Sequence, residues 1–345
     1  MSALEARTLE ELRRRWGVPA LVAGLVPARG EPQLLAVGRR RRSRSAEPVG
    51  LEDRWHLGSC AKAMTALAVA RLVERGALAW DTPVGELLAD LEPAPAWSEV
   101  RVEEVLRHQG GFPANPPRAW FRAAIEDRRP PKEQRDALLA PVLAAQPQGR
   151  GRFVYSNLGT TAVGAAVERL TGLPFEVALE ELVLAPLGIT SAGIGAPLAG
   201  PWGHPALLAG LGKGRPWDPS GVADNPPALS PAGTFHMTVQ DWARFLRLFL
   251  LGAEGPHLVS PATTELLLGP ASSDPVPQGM GWGRARIPGV AWGHQGSNTA
   301  WVATALLAED RSSAGIVVVN DGRSRLLRDT AHLAAALVRG EGVGD

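Results

Sequence analysis

Two scarce side chains in this sequence could act as acid–base groups in a single site. Lys62 is one of only three lysines and follows Ser59 by three residues, and Tyr155 is the only tyrosine. Elsewhere the chain carries positive charge almost entirely as Arg, and it has 11 Trp against seven Phe. Arg stays protonated and Trp does not titrate, whereas Lys and Tyr can accept a proton once burial or neighbours shift their pKa. Both residues are therefore candidates for proton transfer.

The spacing of Ser59 and Lys62 predicts a serine nucleophile beside its base. Residues three apart share one face of a helix, so the amine can reach the hydroxyl. A serine hydroxyl is a weak nucleophile until a base removes its proton, and a desolvated lysine can do so. A place at the helix N-terminus favours developing negative charge, and Gly58 is expected to leave the backbone open to substrate. Taken alone, the pair is equally well explained as a helix N-cap with an incidental lysine.

A second motif, Tyr155-Ser156-Asn157, stands directly before a predicted helix. A phenol can pass a proton between Ser59, Lys62 and a leaving group. The Asn157 amide can bond both the lysine and a substrate carbonyl. In isolation this motif is more simply a core tyrosine beside a turn-forming asparagine.

The third motif is His294-Gln295-Gly296-Ser297, just ahead of the apolar run 299–307. A glycine at a strand edge permits close approach by a ligand, and the next N–H can face a bound carbonyl. We therefore expect His294, Gln295 and Gly296 to bind or orient substrate. Considered alone, this motif is more simply a turn before a strand.

In this order and at these separations, the three motifs resemble those of the serine beta-lactamase and penicillin-binding protein superfamily, nearest the class C beta-lactamase-like esterases and peptidases. The likeness covers most of the chain and includes Trp55-His56-Leu57-Gly58-Ser59, Leu106-Arg107-His108-Gln109-Gly110-Gly111-Phe112-Pro113, Phe153-Val154-Tyr155-Ser156-Asn157-Leu158-Gly159, Pro186-Leu187-Gly188-Ile189 and Ser230-Pro231-Ala232-Gly233-Thr234.

The resemblance implies a role for each motif. Ser59 would be the acylated nucleophile, Lys62 and Tyr155 its general base and proton relay, and Asn157 an orienting group. The oxyanion hole would consist of the backbone N–H groups of Ser59 and Ser297. No cofactor or metal is expected, because the seven histidines are scattered and no zinc-binding spacing occurs.

One departure from the family pattern concerns the substrate. Penicillin-recognising members commonly carry Lys-Thr-Gly in the third motif, whereas this chain has His294 and Gln295. A neutral imidazole attracts a substrate carboxylate far less than an ammonium does. The resemblance therefore implies a carboxylesterase for small to medium esters, with a beta-lactamase or a D-amino-acid peptidase or amidase as the alternative.

Other classes of protein remain as alternatives. A catalytically silent ligand-binding protein could keep the same fold, but it has no physical need for two titratable groups beside a hydroxyl. An α/β-hydrolase is excluded because no serine is framed as Gly-x-Ser-x-Gly. Cys60 would point about 100 degrees away from Ser59 on a helix, so it is expected to be a packing residue. The aromatic and proline side chains expected to wall the cleft are Phe112, Pro113, Trp120, Trp217, Trp282 and Trp301.

The elements that must position these motifs alternate between the chain ends and the middle. Apolar periodicity predicts helices at 5–16, 59–75, 102–107, 133–145, 160–170, 174–184, 238–251 and 324–338, and strands at 19–26, 33–37, 281–287, 299–307 and 314–320. This order predicts an α/β (α+β) fold, in which one sheet is built from the N- and C-terminal segments, flanked by helices, with a mainly helical region inserted. The resemblance implies an antiparallel sheet of the beta-lactamase/transpeptidase type. We assign residues 1–58 and 228–345 to the sheet region and 59–227 to the helical region, together one catalytic domain.

Bulk properties limit the partners that the chain can have. At 345 residues with 45% hydrophobic content, the chain can build a substantial core. A net charge of +1 offers no footprint for nucleic acid, and no run reaches membrane-spanning length. The single cysteine excludes an intrachain disulfide, and no secretory signal is evident. We expect a cytoplasmic enzyme with a small-molecule ester or amide substrate; its oligomeric state stays open, and the arginine-rich run 39–44 is interpreted as a solvated loop.

Overall fold

The computed structural model describes residues 5–207, 212–221, 224–254, 258–269 and 279–342. The strands in these ranges are β1 (Ala20–Pro27), β2 (Gln33–Gly38), β3 (Arg54–His56), β4 (Gly193–Ile194), β5 (Ala206–Leu207), β6 (Gly212–Lys213), β7 (Phe235–Thr238), β8 (Gly283–Ile287), β9 (Val290–Ser297), β10 (Val302–Ala308) and β11 (Ser313–Val319). The α-helices are α1 (Ala6–Trp16), α2 (Ala61–Glu74), α3 (Val84–Leu87), α4 (Val102–Leu106), α5 (Arg118–Glu126), α6 (Pro131–Ala144), α7 (Asn157–Thr171), α8 (Phe175–Leu179), α9 (Ser230–Gly233), α10 (Val239–Leu251), α11 (Pro261–Leu268) and α12 (Arg325–Arg339).

The main sheet joins strands from the two ends of the chain. Its order is β2-β1-β11-β10-β9-β8, and every neighbouring pair is antiparallel. β1 lies beside β11, with Leu21 opposite Val319. Helices α2 to α8 are inserted between β3 and β7. The expected sheet of N- and C-terminal strands with a mainly helical insertion is therefore confirmed.

Both faces of this sheet are covered, which explains why the inner strand β11 is hydrophobic or glycine at every position after Ser313. Along β11, Ile316 and Val318 belong to the large core that includes α2 and α10. The alternate residues Val317 and Val319 belong to a second core with α1 and α12. Because successive side chains of a strand point to opposite faces, a strand buried on both sides is hydrophobic at every position. The sheet is thus a well-packed platform for helix α2, which follows Ser59.

Helix α2 is fixed on both of its sides. A 3-10 turn, Gly58–Cys60, leads into it, and most of its residues are buried. On one side, Thr65 Oγ1 donates to the Pro231 carbonyl of α9 at 2.7 Å. On the other, Gly281 has a φ of +79°, and a Cβ there would lie 2.5 Å from Ala63 Cα. Such close contacts leave the helix little freedom to shift.

The structure differs from the elements expected from the sequence at several points. Residues 290–297 form strand β9, where the sequence indicated only a turn before a strand, because Gly293 and Gly296 interrupt the strand pattern. Helix α5 lies in a proline-rich stretch for which the sequence predicts no helix. The short sheet β3-β7-β4 was not anticipated, since its strands have two to four residues. Within the described ranges no helix is long and apolar enough to cross a bilayer.

Candidate active site

Lys62 lies at the centre of a cluster of polar groups at the start of α2. Its Nζ is 3.1 Å from Ser59 Oγ, 2.7 Å from Asn157 Oδ1 and 2.5 Å from the Ala232 carbonyl oxygen. The residue is only 2% exposed, and this burial lowers the pKa of its amine to about 7. Three of the residues expected from the sequence, Ser59, Lys62 and Asn157, are thus brought together by the fold.

The hydrogen-bond partners of Lys62 determine where its lone pair points. The Asn157 Oδ1 and Ala232 carbonyl oxygens can only accept hydrogen bonds. A neutral amine has two N–H groups, and these two acceptors use both of them. The lone pair that remains faces the Ser59 hydroxyl. In its neutral form, Lys62 is therefore arranged to accept the proton of Ser59.

Tyr155 stands beside this pair, directly before α7. Its ring centroid is 4.9 Å from Lys62 Nζ, and its hydroxyl shares a hydrogen bond with Ser59. One edge of the residue is open, so that 41% of its surface is exposed. Burial of the rest of the phenol nevertheless raises its pKa to about 12, against the opposing effect of the Ser59 hydrogen bond. At neutral pH Tyr155 is consequently a protonated donor.

The loop before α7 is held by His108 and Ser156. The His108 ring lies 4.6 Å from the Tyr155 ring, and its Nδ1 accepts from Ser156 N at 3.2 Å. Burial, followed by the charge of Lys62, lowers the pKa of His108 to about 4. Ser156 Oγ caps α7 by accepting from Gly159 N at 2.8 Å. These bonds fix the backbone on either side of Tyr155.

The Asn157 amide is fixed at both ends. Its oxygen accepts from Lys62, while its Nδ2 donates to Asn115 Oδ1 at 2.6 Å. Asn115 and the Ala232 carbonyl were not identified from the sequence. A backbone carbonyl carries no side-chain signal, and a lone asparagine in a proline-rich loop is ordinarily a turn residue. The amide can therefore reach Lys62 in one orientation only.

The third motif meets the Ser59 turn backbone to backbone. A Cβ at Gly296 would overlap the Leu57 carbonyl oxygen and lie 2.7 Å from Ser59 N. A Cβ at Gly58, whose φ is +52°, would overlap Ser297 N. The glycines thus make room for the protein's own backbone, and the expectation that they also let a ligand approach stays a prediction. The N–H groups of Ser59 and Ser297 belong to these two adjoining segments.

His294 and Gln295 point to opposite sides of β9. His294 lines the cleft beside Tyr155, and burial, followed by the Lys62 charge, lowers its pKa to about 3. Its Nδ1 is buried and has no hydrogen-bond partner in the described part of the chain. The Gln295 amide instead donates to Thr304 Oγ1 at 3.0 Å and to the Leu327 carbonyl on α12 at 2.6 Å. The Gln295 side chain is therefore fixed toward α12, while the residue still borders the cleft, and its role in substrate binding stays a prediction.

A cleft of about 340 Å³ adjoins the cluster, with His108, Tyr155, Trp282, Arg284 and His294 among its lining residues. This volume lies within the usual range for small-molecule sites, roughly 300–1,000 Å³.

Of the six side chains expected to wall the cleft, only Trp282 is among the residues that line this cavity. Trp301 is 1% exposed and stacks on His56, and Phe112 is 4% exposed. Pro113 and Trp120 line a different, apolar cavity of about 500 Å³. Trp217 is partly buried against the large core. Most of these aromatic residues serve packing, as is usual for large apolar side chains.

Comparison with known proteins agrees with the resemblance seen in the motifs. The family model described as Beta-lactamase matches residues 6–339. Esterase EstB of Burkholderia gladioli is 33% identical over 160 residues, which is 43% of this chain and 40% of that protein. A putative D-alanyl-D-alanine carboxypeptidase of Escherichia coli is 26% identical over 133 residues, 36% of this chain and 30% of that protein. The matches thus span less than half the length of these two relatives.

Solved structures extend the likeness to the whole fold. The D-amino acid amidase of Ochrobactrum anthropi superposes with a TM-score of 0.77 and 19% identity, covering 97% of this chain and 96% of that one. At this identity the likeness shows a common fold. It agrees with the antiparallel sheet and inserted helices described above.

Proposed function

The chain belongs to the Beta-lactamase family, and from that premise we propose that it is a carboxylesterase that cleaves small to medium esters through an acyl-enzyme on Ser59. Proteins of this family are serine hydrolases. One observation carries the proposal: Lys62 Nζ lies 3.1 Å from Ser59 Oγ, while two oxygens that only accept occupy its other positions. This arrangement provides a neutral amine as base for a serine nucleophile.

The proposed acylation starts with transfer of the Ser59 proton to Lys62. Ser59 Oγ attacks the ester carbonyl carbon, and the oxygen that becomes negative faces the N–H groups of Ser59 and Ser297. When the tetrahedral intermediate collapses, the leaving alkoxide takes a proton from the Tyr155 hydroxyl. The Lys62 ammonium returns a proton to Tyr155. The net result is the transfer of one proton from Ser59 to the alcohol.

Deacylation follows the same path with water in place of the alcohol. Water passes a proton to Tyr155, whose own proton moves to Lys62, and the resulting hydroxide attacks the acyl carbon. When the tetrahedral intermediate collapses, the Lys62 ammonium gives its proton to Ser59 Oγ, which leaves as the hydroxyl. The products are a carboxylic acid and the free enzyme. A good leaving group makes acylation fast, and the first turnover then appears as a burst.

The preference for esters rests on the third motif. His294, with a pKa of about 3, is neutral at physiological pH and supplies no fixed positive charge for a substrate carboxylate. The name of the relative EstB, which is 33% identical over its matched region, supports an esterase. A D-amino-acid peptidase is the second candidate, because Arg284 lines the same cleft and provides a cation for the terminal carboxylate of a peptide.

Two measurements on the purified protein test this assignment. A fluorophosphonate probe should label the wild-type chain and the Ser59→Ala variant should not react. Ser43→Ala, which removes an exposed serine outside the site, is the matched control and should label fully. In a substrate panel, short p-nitrophenyl esters should be cleaved with a burst and faster than a chromogenic cephalosporin or D-amino-acid amides.

Each part of the proposal has its own contrary outcome. If the wild-type chain is folded but does not react with the probe, the proposed acyl-enzyme is contradicted and a ligand-binding protein is favoured. Equal labelling of Ser59→Ala would mean that the nucleophile is another residue. Fast cephalosporin or amide turnover with negligible ester cleavage would exclude the esterase while retaining the serine hydrolase.

A further inference from the structure

A buried hydrogen-bond chain lies directly behind the turn that carries Ser59. Gly58 N donates to His56 Nδ1 at 3.0 Å. Since Nδ1 accepts this bond, the imidazole proton is on Nε2, which donates to Asp224 Oδ2 at 2.8 Å. The His56 side chain is 0% exposed and that of Asp224 is 8% exposed. Both imidazole nitrogens are occupied, so His56 has no free nitrogen with which to act as a base for Ser59.

The same carboxylate reaches the segment that follows Ser297. Asp224 Oδ1 accepts from Asn298 Nδ2 at 3.0 Å and from Asn225 N at 2.7 Å. Asn298 Oδ1 in turn accepts from Ala300 N at 3.2 Å and from Trp301 N at 3.3 Å. Asn298 is 7% exposed. One carboxylate thus connects the backbone before Ser59 to the turn after Ser297.

The turn after Ser297 needs such support because its backbone is strained. Thr299 has a φ of +74°, an unfavourable region for a β-branched residue. Its N donates to Ser297 Oγ at 3.0 Å, and its carbonyl accepts from Ala206 N at 3.3 Å. A Cβ at Gly322 would overlap this carbonyl, so the chain packs closely here as well. Strained backbone of this kind persists only where the surroundings determine it, and it is concentrated at functional sites.

Aromatic packing joins the two ends of the hydrogen-bond chain. The Trp301 ring stacks on His56 at a centroid distance of 5.5 Å and an interplanar angle of 25°. Its indole Nε1 donates to the Pro201 carbonyl at 2.9 Å. The two segments are therefore held together by side chains that are themselves fixed in place.

We infer that His56, Asp224 and Asn298 are positioning residues that hold the N–H groups of Ser59 and Ser297 at the separation that an oxyanion requires. Oxyanion stabilisation depends on donors that are already in place when the charge develops. His56 fixes the residue before Ser59, Asn298 follows Ser297, and Asp224 sets the distance between them. These three buried side chains act through the backbone. The inference rests on the proposed hydrolase function.

The substitution Asp224→Asn tests the inference most directly. An amide has one acceptor oxygen, so it cannot satisfy both the His56 Nε2–H and the Asn298 Nδ2–H. We expect kcat toward a p-nitrophenyl ester to fall roughly 10- to 100-fold with KM nearly unchanged, because misplaced donors weaken the transition state. Affinity for a trifluoromethyl ketone, which forms an oxyanion on Ser59, should fall by a similar factor. The apparent pKa of kcat/KM should stay in place, because Lys62 is untouched.

Exchanging the carboxylate and the amide between positions 224 and 298 should restore activity. In the double variant Asp224→Asn/Asn298→Asp, the amide at 224 accepts from His56 and donates to the carboxylate at 298, which can still accept from Ala300 N and Trp301 N. We expect kcat to return to within about tenfold of wild type. Asp218→Asn is the matched control, because Asp218 is an exposed aspartate six residues before Asp224 whose side chain bonds only Ser220 in the described structure. Its kcat should equal that of wild type.

The outcomes separate this inference from the proposed function. A wild-type protein with no esterase activity and no labelling at Ser59 would refute the proposed function. An active wild type with a folded Asp224→Asn variant that keeps its kcat and ketone affinity would refute the positioning role alone. Should Asp224→Asn unfold at the assay temperature, the exchange variant decides: recovery to within about tenfold supports the role, and a folded but slower enzyme overturns it.

Discussion

At the scale of single residues, Lys62 is suited to proton transfer because it is buried without a counter-charge. Its three partners, Ser59 Oγ, Asn157 Oδ1 and the Ala232 carbonyl, are uncharged oxygens, and no carboxylate pairs with it in the described ranges. Desolvation therefore dominates and lowers the pKa of the amine to about 7. A nearby carboxylate would have stabilised the ammonium and prevented it from acting as a base at neutral pH.

The pH dependence of activity follows from this pKa. Below about pH 7 Lys62 is an ammonium and cannot accept the Ser59 proton, so kcat/KM should fall about tenfold per pH unit and level off above neutrality. His108 and His294, with pKa values of about 4 and 3, titrate too low to cause this change. Tyr155, at about 12, titrates too high. Measuring kcat/KM from pH 4.5 to 9.5 tests this pH dependence. A kcat/KM that does not fall below pH 7 would contradict a lysine base.

Two lysine-to-arginine variants distinguish the proposed proton transfer by Lys62 from an effect of its positive charge. Lys62→Arg should reduce kcat/KM by at least roughly 1,000-fold at every pH up to 10, because a guanidinium does not lose its proton. Lys132→Arg is the control, since Lys132 is exposed and paired with Asp136 at 2.7 Å. Substantial activity of Lys62→Arg at high pH would show that the base is another group.

Rarity and spacing were enough to select the central residues of the candidate site. Ser59, Lys62, Tyr155 and Asn157 were selected from the sequence and lie together in the structure. Gln295 was selected by its motif, but its side chain faces α12, because the residues of a strand alternate between the two faces. Recognising residues 290–297 as a strand would have separated His294 from Gln295 in advance.

At the scale of elements, the contact between β9 and the Ser59 turn determines the geometry of the site. A side chain at Gly296 would overlap the Leu57 carbonyl oxygen, so Gly296→Ala must push the two segments apart. We expect kcat to fall roughly 100-fold, because small displacements of catalytic donors have effects of this size. The melting temperature should also fall, and steady-state kinetics together with thermal denaturation measure both effects.

The control for this variant is Gly221→Ala. A Cβ at Gly221 would make an ordinary contact of 3.5 Å with the Asp218 carbonyl, so its kinetics and melting temperature should match those of wild type. If Gly296→Ala kept wild-type kcat, the two segments would tolerate separation and the proposed oxyanion hole would be misplaced.

Long elements with a clear period were predictable, and short or glycine-interrupted ones were not. Helix α12 was expected at 324–338 and is Arg325–Arg339, and β11 was expected at 314–320 and is Ser313–Val319. Strands β3 and β7 have three and four residues, too few to show a period. The pairing of His56 on β3 with Asp224 could not be predicted from the sequence, because the two residues are 168 positions apart and meet only in the folded chain.

At the scale of the whole molecule, the division into a sheet region of residues 1–58 and 228–345 and a helical region of 59–227 stays a proposal. One core cluster contains Leu67 of α2 together with Val318 of β11, so the two regions share a continuous interior. We therefore expect a single cooperative unfolding transition in urea, followed by tryptophan fluorescence and by residual activity. Two fluorescence transitions, with activity lost in the first, would show that the regions unfold independently.

The pairing of β1 with β11 has a consequence for the newly synthesised chain. Ser59 and Lys62 are synthesised well before β9, which carries Ser297, and before β11. A nascent chain then contains the proposed nucleophile and base before the strand that would complete the proposed oxyanion hole has been made. We therefore expect an incomplete chain not to be acylated by an ester. The appearance of hydrolytic activity during translation would therefore report the closing of the sheet. This step pairs strands that are far apart in the sequence, and contacts of that kind form slowly.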